Sequence, residues 1–343
     1  MDTPPTRSVL VTGSSGFIGS RLVRRLIEQG RRVTCLVRGT PRSGASGAVG
    51  ARAVVGDVTD RESVARALAE SQAGVVFHVA GLIRAVRAGD FRRVNAGGVE
   101  NLAAVCAARS DTPVLVVVSS LAAAGPCGRR GDNRIEDDEP TPVSNYGRSK
   151  LEGERAAATY AERVPITIVR PPIVFGPGDR AVLEMFRPIA RSGIHVVPGG
   201  GERRFSLIHV DDLVEGLMRA AEKGERLGQS ASLGRGIYFM SAEETPTYSE
   251  LGQAMALALG RERARVVRIP PVFLRLIGVC GDLKARVRGR PVWITRDKIT
   301  EALAGSWTCS SGKAHTQLGW SLTTTLADRL HETARWYRQT GWL

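Results

Sequence analysis

In the stretch "SNYGRSKLEGE", Tyr146 stands four residues ahead of Lys150. On a helix, residues at i and i+4 share a face, so the phenol and the ammonium of such a pair point the same way. A phenol has an ordinary pKa of about 10 and exchanges protons at neutral pH only where its anion is favoured, which a nearby ammonium brings about. Spacing permits this pair without establishing it, because two residues on one face are equally an ordinary part of a helix. Metal and nucleophile chemistry have weaker support. His78, His195, His209, His315 and His331 are scattered, and neither H-E-x-x-H nor G-x-S-x-G occurs. No metal is expected, and His209 reads as a core or sheet-edge histidine.

A second chemistry-bearing stretch opens the chain. "SVLVTGSSGFIGSRL" places Gly13, Gly16 and Gly19 directly after an apolar run and at the start of a helical pattern. Glycine at that spacing allows a tight turn, close backbone approach to a pyrophosphate and packing of helix on strand, while the helix N-terminus offers N–H groups and positive potential. A Gly-rich match by itself is weak evidence, but its place between strand and helix points to a dinucleotide. The next apolar run should end on the residue that meets the adenosine ribose. An acid there bonds the hydroxyls of NAD, whereas an Arg accommodates the 2′-phosphate of NADP. "VTCLVRGT" offers Val37 and Arg38 and no acid, so NADP(H) is expected ahead of NAD(H). Arg42 is a further candidate, or simply a solvated loop arginine. Asp57 and Val58, in "GDV", are candidates for the edge and face of the adenine.

These residues need a frame that brings strand ends together, and the pattern supplies one. "SVLVTG", "RRVTCLVR", "ARAVVGD", "GVVFHVAG", "PVLVVVSS" and "PITIVRPP" are near-continuous Val/Ile/Leu runs, as in strands buried on both faces. Helical patterns such as "GSRLVRRLIEQG", "DRESVARALAES" and "NAGGVENLAAVCAARS" separate them. That alternation predicts an α/β fold, a Rossmann-type doubly wound parallel sheet. After about Arg170 it loosens into a smaller, mostly helical C-terminal substrate lobe. The expected division is 1–172 with 206–236 for the cofactor domain and 173–205 with 237–343 for the lobe, ending in an amphipathic helix in "TTTLADRLHETARWYRQTGWL".

The 343 residues, 43% of them hydrophobic, suit a globular protein with a sizeable core. Five cysteines, odd in number and without a C-x-x-C pair, argue against a disulfide framework or zinc site and fit a reducing, cytoplasmic setting. The N-terminus lacks a signal-peptide pattern, and no window approaches the roughly 20 apolar residues of a membrane span. A net charge of +14 raises nucleic acid or an anionic surface. The arginines are dispersed, with no basic stripe interleaved with aromatics, so no nucleic-acid partner is expected.

With the glycine turn, the "GDV" and the Tyr-x-x-x-Lys pair in order, the chain resembles the extended short-chain dehydrogenase/reductase family over nearly its whole length. "VFHVAG", "NAGGVEN" with Asn95, Gly98 and Asn101, "RPPIVFGPGD" and "FSLIHVDDLVEGL" resemble that family's landmarks in sequence order. The resemblance implies Tyr146 as acid/base, Lys150 as its electrostatic partner, also able to hold the nicotinamide ribose, and Ser120 as the hydroxyl on the reacting oxygen, with Ser119 as the competing serine. It implies cofactor contacts from Gly13, Ser15, Gly16, Phe17, Ile18, Gly19, Arg38, Asp57, Val58, Ala80, Gly81, Asn95, Ser119, Pro171 and Ile173, and a homodimer through the helices after the fourth and fifth strands.

Within the family, Ile173 stands where sugar-nucleotide enzymes commonly carry Asn, Ala124 where they often carry Tyr, and Val37-Arg38 where tightly held NAD has an acid. The chain therefore looks more like the dihydroflavonol-reductase and hydroxysteroid-dehydrogenase branch: an oxidoreductase interconverting a secondary alcohol and a ketone on an apolar small molecule. The alternatives are an NAD-retaining nucleotide-sugar epimerase or dehydratase, and a dinucleotide-binding sensor without turnover. One segment bears on the substrate. "IPPVFLRLIGVCGDLKARVRGRP" mixes apolar and basic residues in a way that suits peripheral contact of 271–290 with an anionic membrane, or, more plainly, a wall or lid of the substrate lobe.

Overall fold

The computed structural model describes residues 8–39, 50–127, 132–228 and 233–343. Arg42 lies outside them. The apolar runs form the parallel strands β1 (Val9–Thr12), β2 (Val33–Val37), β3 (Arg52–Val55), β4 (Val75–His78), β5 (Val114–Val118) and β6 (Ile166–Arg170). Alternate side chains serve different layers, as a strand's period of two requires. Val9 and Val11 join one core with Leu22 and Leu213, while Leu10 joins the other with Leu68 and Leu102.

The helices that fill those layers are α1 (Phe17–Glu28) and α2 (Arg61–Ser71), then the single turn α3 (Ala88–Phe91) running into a π-helical segment, Arg92–Ala96, and on into α4 (Gly97–Ala107). After β5 come the short α5 (Leu121–Ala124) and α6 (Asn145–Ala158), which carries the Tyr146–Lys150 pair. Ser144 begins α6 by accepting the Gly147 N–H at 2.9 Å, a side-chain cap for otherwise unpaired first-turn donors.

Beyond β6 the chain adds β7 (Ile173–Phe175), α7 (Leu183–Ser192), β8 (Ile194–Pro198), β9 (Leu207–His209), α8 (Val210–Lys223) and β10 (Ile237–Phe239). The main sheet runs β3-β2-β1-β4-β5-β6-β10, every pair parallel. Strand order reverses between β1 and β4, the crevice where open α/β sheets bind ligands. Ile237–Phe239, grouped by the sequence pattern with the lobe, is in fact an edge strand of this sheet. Conversely, β9 does not rejoin it. It pairs with β7 as a separate two-stranded unit, and only α8 returns to the sheet layer.

The lobe comprises α7, the β8 pairing with β11 (Arg265–Ile269), α9 (Tyr248–Ala258), α10 (Pro271–Arg288) and α11 (Arg296–Leu303). The turn α12 (Gly312–Leu318) packs back on the sheet side, and the expected last helix is α13 (Leu326–Gln339), capped by Thr325. A third core unites α5, α7, α9 and α13 through Phe186, Leu251, Leu330 and Tyr337. Among the described residues no helix is long and apolar enough to cross a membrane, and all five cysteines are free thiols.

Candidate functional site

The glycine turn is built by close approach. Gly13 has φ +73° and a Cβ there would lie 2.5 Å from the Ala80 nitrogen, so this turn abuts the end of β4. A Cβ on Gly19 would strike the Gly13 carbonyl. The Gly16 N–H donates to the Gly13 carbonyl at 3.0 Å, and Gly16 caps α1 without any side-chain acceptor. The first turn of α1 holds no acid either. Its N–H groups, including those at Phe17 and Ile18, therefore remain for an anion, with Ser15 exposed beside them. These residues fit a dinucleotide's pyrophosphate.

Arg38 follows β2 and is exposed, next to Gly39 at φ +119°. Asp57 spends one carboxylate oxygen on the Thr59 N–H and hydroxyl, both at 2.8 Å. Val58 is buried, and its carbonyl accepts from the Asn101 side chain at 3.0 Å. Gly98 lies against the Val58 side chain, where a Cβ would sit 3.1 Å from Cγ2. Thus two members of the "NAGGVEN" element fasten the loop that carries Asp57 and Val58.

Asn95 sits in the π-helical segment, a distortion often found at functional sites. Its Oδ1 accepts the Leu82 N–H at 2.8 Å, and its Nδ2 donates to the Leu82 carbonyl and to Ser149 Oγ. A Cβ on Gly81 would come within 3.1 Å of both Asn95 Oδ1 and Lys150 Nζ. Gly81 thus marks the point where the β4 loop, the π segment and α6 converge. Lys150 Nζ donates to the Val118 carbonyl at 3.0 Å, and burial holds its pKa down at about 8, with Glu154 pulling the other way.

Tyr146 stands one turn earlier, half-buried and tilted against Phe91 at 6.0 Å between ring centres. Burial pushes its phenol up to about 12; hydrogen bonding from Ser120 lowers it and the Glu301 charge raises it. Ser120 begins α5, accepting the Ala122 N–H at 3.1 Å. The two serines part company here. Ser119 donates to Glu154, which also holds Arg170 in a two-pronged pair at 2.9 and 2.6 Å, all three side chains being buried. Pro171 accepts the Leu121 N–H at 2.8 Å, and Ile173 is the first residue of β7, half-buried.

Two supports went unread in the sequence. Asp297 of α11 accepts the N–H groups of Asn145 and Tyr146 at 2.7 and 3.3 Å, and Glu301 accepts from Ser144 Oγ at 2.6 Å. The close seating of α6 on its neighbours is the second support, and the glycines in its pattern were the available signal for it. Gly147 lies against the Ala122 carbonyl, and a Cβ on Gly153 would be 2.5 Å from the Asn95 carbonyl. Both let α6 approach its neighbours closely.

The histidines lie apart from this chemistry. Thr12 Oγ1 accepts the Ala80 N–H at 3.3 Å and shares a hydrogen bond with His78 Nδ1 at 2.8 Å. Burial, with the Lys150 charge second, pushes His78 down to about 3. His209 is buried at the end of β9, near Asp211 and Glu332. Arg21 pairs with Asp211 and Arg329 with Glu332. Those carboxylates already have cations, and burial pushes His209 down to about 3.

The description "NAD dependent epimerase/dehydratase family" matches residues 9–234. The chain is 33% identical over 343 residues to a Caulobacter vibrioides protein named ceramide reductase, spanning 100% of this chain and 98% of that one. It is 24% identical to the UDP-glucose 4-epimerase of Vibrio cholerae, over 98% of each. Among solved structures, the UDP-glucose 4-epimerase of Thermus thermophilus in complex with NAD superposes with a TM-score of 0.72 at 23% identity, covering 96% of this chain and 98% of that one.

Proposed function

The chain belongs to the NAD-dependent epimerase/dehydratase family of extended short-chain dehydrogenases/reductases, and on that premise we propose that it interconverts a secondary alcohol and a ketone on an apolar, lipid-like molecule. It is an NAD(P)-dependent oxidoreductase acting on CH–OH groups. The observation carrying this reading is that Asn95 Oδ1 and Lys150 Nζ both close on Gly81 after β4, while α6 holds Tyr146 one turn from Lys150 and close enough to Ser120 for that hydroxyl to lower the phenol's pKa.

A bound nicotinamide supplies the hydride donor or acceptor. The protein's part is to hold and move one proton. Tyr146 Oη gives its proton to the substrate oxygen during reduction and takes it back during oxidation. Ser120 Oγ hydrogen-bonds that oxygen and the phenol, lowering the cost of the phenolate. Lys150 adds positive charge below the sheet end, fixed there by the Val118 carbonyl. Asn95 holds the Leu82 loop against the same spot.

NADP(H) is favoured over NAD(H) because the residue after β2 is an exposed arginine with no acid beside it. The apolar substrate is favoured by Ile173 and Ala124 in place of sugar-nucleotide partners, and by the name of the Caulobacter vibrioides relative, ceramide reductase. The test is turnover of long-chain and polycyclic ketones with NADPH. Tyr146→Phe should cut kcat by about a hundredfold or more. Unchanged turnover in that variant would remove Tyr146 from the proton path. Tight binding of uridine diphosphate, with NAD carried through purification, would overturn the reductase reading in favour of an epimerase.

A further inference from the structure

Helix α10 turns its apolar side outward. Its buried positions, Leu274, Gly278 and Ala285, fall on one face at 100° per residue, with Asp282 half-buried on the same side. Opposite them run Val272, Leu276, Val279, Leu283 and Val287, between 46% and 79% exposed. A helix on a protein surface ordinarily shows the reverse arrangement, and a contiguous exposed apolar patch marks an interaction site. Arg275 and Arg286 flank the stripe on one side, Lys284 and Arg288 on the other. The helix's single acid, Asp282, points inward and accepts the Arg296 N–H at 3.3 Å.

We propose that α10 docks the protein on the surface of an anionic lipid bilayer, its apolar stripe among the acyl chains and its cations on the headgroups. Charge decides between occupants. A second copy of this face would set cations against cations with no acid on either stripe, whereas an anionic surface complements them.

The helix also reaches the candidate site. Gly278 packs on the start of α11, where a Cβ would lie 3.1 Å from the Arg296 Cα, and α11 caps the helix carrying Tyr146 through Asp297. The linker between them places Trp293 against the Arg84 guanidinium, 3.6 Å from the ring centre, in the loop leaving Gly81. A bilayer-docked α10 would thus be joined to the helix carrying Tyr146 through α11. A role for that link in substrate delivery rests on the proposed function, but docking itself does not.

The experiment is sedimentation with vesicles of phosphatidylcholine mixed equally with phosphatidylglycerol, against vesicles of phosphatidylcholine alone. Wild type should bind the anionic vesicles, less so as salt rises. Leu276→Glu/Leu283→Glu should abolish binding, and each of Arg275→Gln, Lys284→Gln and Arg286→Gln should weaken it roughly fivefold. The same variants should bind NADPH as wild type does, which shows they are folded. No binding by wild type, or equal binding by the variants, overturns the proposal. So does a wild-type protein that binds no vesicles but is a dimer by light scattering, converted to a monomer by Leu276→Glu/Leu283→Glu. Failure of turnover on every ketone would sink the proposed function and leave the vesicle result standing.

Discussion

Lys150 and Tyr146 share a face of α6, yet the Lys150 ammonium donates to the Val118 carbonyl at 3.0 Å, while the neighbour that draws the phenol's pKa down is the Ser120 hydroxyl. In the proposed mechanism, therefore, the lysine serves the reacting groups through its charge and not through a hydrogen bond to the phenol. That charge is present below its pKa of about 8 and lost above it. The rate constant kcat/KM should accordingly fall on an alkaline limb near pH 8. Because the Glu154 charge raises the Lys150 pKa, Glu154→Gln should move that limb to lower pH. A pH profile of NADPH-dependent reduction checks both, and a limb unmoved by Glu154→Gln would take Lys150 out of the role.

Arg38 governs cofactor choice in the proposal. A charge-assisted hydrogen bond contributes about 1.5–3 kcal/mol, so Arg38→Ala should weaken NADPH binding roughly tenfold to a hundredfold and leave NADH binding nearly unchanged. Fluorescence titration of both nucleotides measures this. Equal affinities in the wild type would show that the ribose of this protein is read elsewhere.

What was legible in the sequence was local or repetitive. Most of the sheet strands announced themselves because burial on both faces leaves runs such as Val114–Val118 without a polar break, and the glycine turn because its geometry admits few residues. Contacts far apart in sequence were not legible. Nothing near Ser119 says that its hydroxyl is taken by Glu154, 35 positions on, and nothing near Tyr146 announces Asp297, 151 positions on. β10 was assigned to the lobe because three residues after a loop carry too short a pattern, and only pairing with β6 makes them a strand. The π segment is equally invisible, since one extra residue per turn leaves no mark on periodicity.

The Glu154–Arg170 pair ties α6 to β6 with both side chains almost fully buried, 4% and 2% exposed. Removing one partner of such a pair leaves an uncompensated charge and costs about 3–5 kcal/mol, whereas an apolar replacement of both is often near neutral. Glu154→Leu should therefore lower stability by that amount in urea denaturation. Glu154→Leu/Arg170→Met should recover most of it, although one Arg170 nitrogen already lacks a partner and Ser119 would lose its acceptor. A double variant as unstable as the single would mean that the pair adds net stability of its own.

Gly153 offers the sharpest test of how the candidate site is assembled. In the interior of a helix, Gly→Ala ordinarily stabilises by up to about 1 kcal/mol, through backbone entropy. Here the new methyl would sit 2.5 Å from the Asn95 carbonyl, which is backbone and cannot swing aside. Either α6 retreats, carrying Lys150 and Tyr146, or the π segment yields and frees Asn95 from Leu82. Gly153→Ala should thus lower stability by roughly 1–3 kcal/mol, as overpacking does, and reduce kcat more than it weakens NADPH binding. The α1 N-terminus, whose free N–H groups fit a pyrophosphate, lies across the sheet from the displacement. A variant that gains stability with kcat intact would mean that the close approach of α6 to Asn95 contributes nothing to the site.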